Sequence, residues 1–123
     1  MTSPRFLVDG PADAPATILL AHGAGAAMDS PGMARLVDAL VGVGLRLVRF
    51  EFGYMAARRH GARKPPPRAE TLCPEYEAAV AAVTTGGPLL IGGKSMGGRV
   101  ASLVADSLRV QGRIGGLLCL GYP

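Results

Sequence analysis

A chain of 123 residues has room for one domain and one core. Hydrophobic residues make up 49% and charged ones only 18%, a balance that points to strands buried on both faces, as in a parallel α/β sheet. The net charge is +4, yet no apolar run reaches the length of a membrane span and no signal-peptide core opens the chain; no membrane partner and a cytoplasmic location are expected. Cys73 and Cys119 lack metal-ligand spacing and read as reduced thiols, so no metal and no cofactor is expected.

In chain order, a short leading strand over 6–8 precedes a turn-rich segment over 9–15. TILLA at 17–21 has the composition of a central strand and delivers the chain into His22-Gly23-Ala24-Gly25. Small residues there let the backbone approach a ligand closely, and this is the place where a second oxyanion-holding amide is expected, with Ala24 as its source. His22 reads as a residue that shapes this loop beside a ligand, and Gly23 as part of the same lining. Ser30 and Pro31 mark a helix start, and Met33, Leu36, Val37 and Leu40 form its apolar stripe over 31–41. A strand over 45–50 follows.

Residues 51–69 read as one long loop with three successive prolines, too long to be idle in a compact domain. Arg49, Arg58, Arg59, Arg63, Lys64 and Arg68 crowd into this region. Such a run attracts anions or nucleic acid in some proteins, but a solvated loop is the commoner case and no nucleic-acid partner is expected. Leaving the carboxyl end of a strand, the loop is placed to line a site, with Tyr54 and Met55 as apolar walls. A helix from about 74 to 83 follows, with Tyr76, Ala79, Val80 and Val83 inward.

PLLIGGKSMGGRVASLVADSL, residues 88–108, organises the rest. Leu89, Leu90 and Ile91 read as a buried strand, and Val100, Leu103, Val104 and Leu108 as one helix face. Between them Gly93-Lys94-Ser95-Met96-Gly97 has the G-x-S-x-G pattern of a nucleophile elbow. Ser95 is the candidate nucleophile at a helix start, the Met96 amide the candidate first oxyanion donor, and Lys94 a candidate substrate contact. A phosphate-binding loop ending in Gly93-Lys94-Ser95 is excluded, because Pro88 stands where its first glycine belongs and a strand occupies the loop. A dinucleotide site on Gly23 and Gly25, with Glu51 as ribose acceptor, fails at Met28 and at the late helix start. A strand over 114–120 closes the layout, which is α/β and doubly wound with a mainly parallel sheet.

Taken together, TILLAHGAGAAMDSP, LRLVRFEFGYMAARR, LLIGGKSMGGRVASL and GLLCLGYP resemble the α/β-hydrolase superfamily. The likeness is to small bacterial hydrolase-like proteins grouped with testis-expressed and nonspecific-lethal-complex (KANL/Tex-like) homologues. The resemblance implies an α/β-hydrolase fold and a serine hydrolase, esterase- or thioesterase-like, that forms an acyl-enzyme on Ser95 from a small-molecule acyl substrate. Gly53 departs from it, standing where the family's F-P-Y-M segment has proline. After Ser95 the chain has Asp106 and no histidine, whereas triads in this fold take both acid and histidine from after the serine. The expectation is a single domain over 1–123, the amino-terminal part of the fold through its sixth strand. The remainder of the polypeptide, or a second chain, would cover the apolar last strand. The alternative is a non-catalytic hydrolase-like module that binds or scaffolds.

Overall fold

Thr17–Ala21 (β2) is buried at all five positions, as a strand covered on both faces must be. Its alternate residues feed different cores, Ile18 and Leu20 on one face of the sheet and Leu19 and Ala21 on the other. The structure, a computed structural model, describes residues 5–121; Tyr122 and Pro123, which end the last quoted motif, lie outside the described residues.

Around β2 the described residues build a five-stranded sheet from Leu7–Asp9 (β1), Arg46–Phe50 (β3), Leu89–Lys94 (β4) and Gly116–Leu120 (β5), in the order β1-β3-β2-β4-β5. β1 runs antiparallel to β3, while β3, β2, β4 and β5 run parallel. Pro31–Gly42 (α1) covers one face through Met33 and Val37. Cys73–Ala82 (α3) and Met96–Val110 (α4) cover the other. From β2 the chain passes to β3 on one side and later to β4 on the other, so the winding reverses between β2 and β4. Such a reversal opens a crevice at the carboxyl ends of the two strands, where open α/β sheets bind ligands.

The start of α1 forms as its sequence dictates: the Met33 amide donates to the Ser30 hydroxyl at 3.3 Å, and Pro31 occupies the first turn. On α3, Tyr76 is fully buried and its hydroxyl accepts from the Gly92 amide at 3.0 Å while facing the Leu19 and Gly92 carbonyls. One side chain thereby ties α3 to both central strands.

Three expectations need correction. Residues 51–69 are not one loop: Gly53–Arg58 (α2) is a short helix, anchored by buried Met55, and a 3-10 turn over Ala69–Leu72 leads into α3. A helix this short shows too little periodicity to stand out. Leu103 is 47% exposed, and Ala101 takes the inward place on α4. Arg49, on β3 as expected, is buried and paired with Asp9 at 2.9 Å. The last strand begins at Gly116, with Ile114 buried in the turn before it.

Candidate active site

Ser95 sits between β4 and α4 with φ 52° and ψ −116°, the only non-glycine residue with positive φ among those described. Such a conformation is strained for an L side chain and persists only where its surroundings enforce it. They do so here by close backbone packing. A Cβ on Gly93 would lie 2.3 Å from the Gly97 carbonyl carbon and 2.5 Å from the Gly98 nitrogen; one on Gly97 would lie 2.4 Å from the His22 oxygen. The turn closes because these positions carry no side chain. The Ser95 amide donates to the Leu120 carbonyl at 2.7 Å, and the Arg99 amide to the Ser95 carbonyl at 3.0 Å. The serine side chain makes no capping bond to its own helix, and the residue is partly exposed. Met96 begins α4, so its amide is one of the four that have no acceptor within the helix.

The loop after β2 lies against this elbow. A Cβ on Gly23 would stand 3.8 Å from the Ser95 Cβ and 3.5 Å from the Lys94 carbonyl. The parallel register pairs Ala21 with Gly93, which brings the two loops out of the sheet side by side. Residues some seventy positions apart in sequence therefore meet at the crevice.

His22 is fully buried, and both ring nitrogens are engaged. Its Nδ1 lies 2.6 Å from the Gly23 carbonyl and its Nε2 3.2 Å from the Phe52 amide. A carbonyl only accepts and an amide only donates, so Nδ1 carries the proton and Nε2 is bare. Burial holds its pKa below the usual 6.5, against the raising effects of the Gly23 contact and of Glu51. The ring is a neutral strut. It pins the Gly23 carbonyl and, through the planar peptide, fixes the direction of the Ala24 N–H. Tyr54 holds the next peptide, its hydroxyl donating to the Ala24 carbonyl at 2.9 Å and lying 4.0 Å from the Met96 sulfur. Burial raises the Tyr54 pKa, which keeps that hydroxyl a donor.

Farther along the loop a charged knot holds residues 28 and 29. The Met28 amide donates to Glu51 at 3.2 Å, and its carbonyl accepts from Arg49 at 3.0 Å. Arg59 grips both Glu51 oxygens and also pairs with Asp29. Burial alone would raise the Glu51 pKa, but the Arg59 and Met28 hydrogen bonds outweigh it and the carboxyl is held low.

Of the residues expected from sequence, Ser95, Met96, Ala24, Gly23, His22 and Tyr54 are brought together. Lys94 is exposed and directed toward the start of α1, where a Cβ on Gly32 would meet its ammonium at 2.9 Å. Met55 and His22 are buried, so neither offers a surface to a ligand. Sequence reasoning missed the Glu51–Arg59–Asp29 knot and the Phe52 amide. The available signal was that Glu51 is the one acid in a stretch otherwise rich in arginine.

The sequence profile of a family described as an alpha/beta hydrolase domain matches residues 14–123. Among solved structures the fold is similar to dienelactone hydrolase from Anabaena variabilis, with TM-score 0.72 and 19% identity over 96% of this chain and 63% of that one. It is also similar to Est1E from Butyrivibrio proteoclasticus, solved with ferulic acid bound, with TM-score 0.64 and 17% identity over 93% of this chain and 47% of that one. YbtT, a type II thioesterase from the yersiniabactin biosynthetic pathway, gives TM-score 0.59 and 25% identity over 93% and 47%. Among curated proteins none matches. The chain thus spans 47% to 63% of the length of these relatives.

Proposed function

Since the chain belongs to the alpha/beta hydrolase domain family over residues 14–123, we propose that it carries the nucleophile and oxyanion hole of a serine acyl hydrolase acting on a carboxylic ester or thioester. The Ser95 hydroxyl attacks the acyl carbonyl, and its proton passes to a base. The Met96 and Ala24 amides hold the oxyanion, which collapses to an acyl-enzyme as the alcohol or thiol leaves with a proton. Water then releases the acid and restores the serine. The observation that carries the reading is the positive φ of Ser95 on a glycine-walled turn at the reversal of the sheet winding.

The base and its acid partner come from chain beyond residue 123 or from a second chain, which would also cover the outer edge of β5, where Leu117 is 42% exposed. His22 is unsuited to the task, because both its nitrogens are committed to backbone groups. His60 lies past the end of α2 on the exposed loop. The narrower kinship with the KANL/Tex-like group and a cytoplasmic setting, in keeping with two unpaired thiols, are parts of the same proposal.

The test is labelling of the full-length protein by a fluorophosphonate probe. Labelling that disappears in Ser95→Ala is expected; labelling that persists refutes the nucleophile. A second reading, a binding or scaffold module that keeps the fold without turnover, is favoured by the lack of a histidine free to serve Ser95 among the described residues. Absence of any labelling in the full-length protein decides for it.

A further inference from the structure

The basic segment after α2 has an uneven charge economy. Between Phe52 and Ala69 there are five Lys and Arg residues and no Asp or Glu. Arg59 is neutralised by Glu51 and Asp29, and Arg68 reaches Glu70 at 3.6 Å. Arg58, Arg63 and Lys64 are left without an ion pair among the described residues.

The chain folds two of these cations, Arg58 and Arg63, around a cleft. Past α2 the amides of Gly61 and Ala62 donate back to the Arg58 and Ala57 carbonyls, with Gly61 at φ 95°, which is a glycine-closed helix end. The Arg58 guanidinium then donates to the Lys64 carbonyl at 3.3 Å and draws the outgoing strand of the loop back over the helix end. The half-open cleft is about 370 Å³ and is lined by Arg58, Gly61, Ala62 and Arg63. Two arginines thus border one cleft, and no acidic residue lines it. Two like charges at one cavity repel each other unless an anion joins them, and the planar guanidinium suits the oxygens of a carboxylate or phosphate.

The cleft is also connected to the elbow. The Arg58 guanidinium lies 5.4 Å from the centre of the Tyr54 ring, and the Tyr54 hydroxyl reaches Ala24 and Met96. Arg58 follows Tyr54 by one helical turn, so the cleft lies on the side of α2 that carries the tyrosine toward the elbow.

We propose that Arg58 and Arg63 form an anion-binding cleft that recognises an acidic group, carboxylate or phosphate, on the acyl substrate of Ser95. The inference rests on the acyl-transfer reading for its purpose, and the cleft itself stands on the geometry above. It assigns to the loop a choice among substrates, leaving the chemistry to the elbow.

The experiment uses the full-length protein carrying Ser95→Ala, so that esters bind without turnover. Monomethyl succinate and its neutral dimethyl ester are titrated by calorimetry, with inorganic phosphate and succinate as competitors. The monoanion is expected to bind about 5- to 10-fold more tightly than the diester at low salt, and the preference to collapse in about 0.5 M salt. The double variant Arg58→Gln/Arg63→Gln is expected to lose the preference, and Arg58→Lys/Arg63→Lys to regain part of it. Competition by phosphate points to a phosphorylated group, and competition by succinate alone to a dicarboxylate; either supports the cleft. Equal affinity for the two esters, or a preference that survives in the Gln variant, overturns it. Fluorophosphonate labelling of the unmutated protein separates the two claims: labelling without anion preference removes the cleft alone, and anion preference without labelling removes acyl transfer alone.

Discussion

Gly97→Ala is the sharpest perturbation of the elbow. The new Cβ would stand 2.4 Å from the His22 oxygen and 2.6 Å from the Ala21 oxygen, where ordinary contact begins at 3.4 Å. The shortfall is about 1 Å, and every atom in the way is backbone of the central strand or its loop. No side chain can swing aside, so the start of α4 must lift off the end of β2. Overpacking a rigid site costs about 1–3 kcal/mol and sometimes more, whereas replacing a helical glycine returns about 1 kcal/mol of propensity. With backbone on both sides of the clash, a net loss of about 3 kcal/mol is expected. Gly42→Ala, at the exposed end of α1 with nothing within 4 Å, is the control; it should gain about 0.5–1 kcal/mol. Urea unfolding followed by circular dichroism, with unchanged m values, measures both. A Gly97→Ala protein within about 0.5 kcal/mol of the parent would mean that the elbow is not held by this contact.

Three other outcomes follow from the strut, the tyrosine and the knot. The buried, neutral His22 has a lowered pKa, so the unfolded chain takes up a proton near pH 6.5 before the folded one does. Its contribution is full above pH 6.5 and is lost as pH falls toward the lowered value, with a slope of up to about 1.4 kcal/mol per unit. His22→Asn should flatten that slope, and an unchanged slope assigns it to another group. Tyr54→Phe removes the bond to the Ala24 carbonyl and should lower stability by about 1 kcal/mol; on the proposed chemistry kcat falls while KM holds, and a change in KM alone would contradict a role at the hole. Arg59→Met strips the clamp from Glu51, whose side chain is only 5% exposed, for an expected loss of about 1–3 kcal/mol. Combining it with Glu51→Gln should cost less than the sum, and strict additivity would show that the pair is not coupled.

What could be read from the sequence was what depends on neighbours along the chain. TILLA shows its burial by composition, Ser30-Pro31 announces a helix start, and the glycines around Ser95 announce a turn too tight for side chains. What could not be read depends on partners far away in the chain. Phe52 and His22 are thirty positions apart, and nothing in either local pattern says that an amide of one caps the ring of the other. Arg59 sits among arginines that look interchangeable, and only the fold reveals that it faces Glu51 and Asp29 while Arg58 and Arg63 face a cavity. Leu103 fits a helical stripe, but the sheet presents small Gly93 to Gly97 and Gly98 at the start of α4, so the helix packs on its glycine and alanine face. The Gly53 departure acquires a physical content too. Its amide donates to Glu75 at 2.7 Å, a bond that proline could not make.

On the proposed function, the two kinds of residue also divide the labour of the site. Ser95, Met96 and Ala24 hang from β2 and β4, adjacent strands of the sheet, and the single pairing of Ala21 with Gly93 sets their separation. Moving either donor requires moving a buried strand, so this half of the site is as stiff as the core. Tyr54, Arg58 and Arg63 hang from a six-residue helix and the extended loop beyond it, held by a few exposed hydrogen bonds. Elements of that kind open and shift at low free energy. Chemistry that demands donors placed within a few tenths of an ångström belongs on the first support, and selection among acyl groups of differing length and charge belongs on the second. On the proposed chemistry, changes at Arg58 or Arg63 are therefore expected to alter which ester is preferred, whereas changes at Gly93 or Gly97 are expected to act on every ester alike.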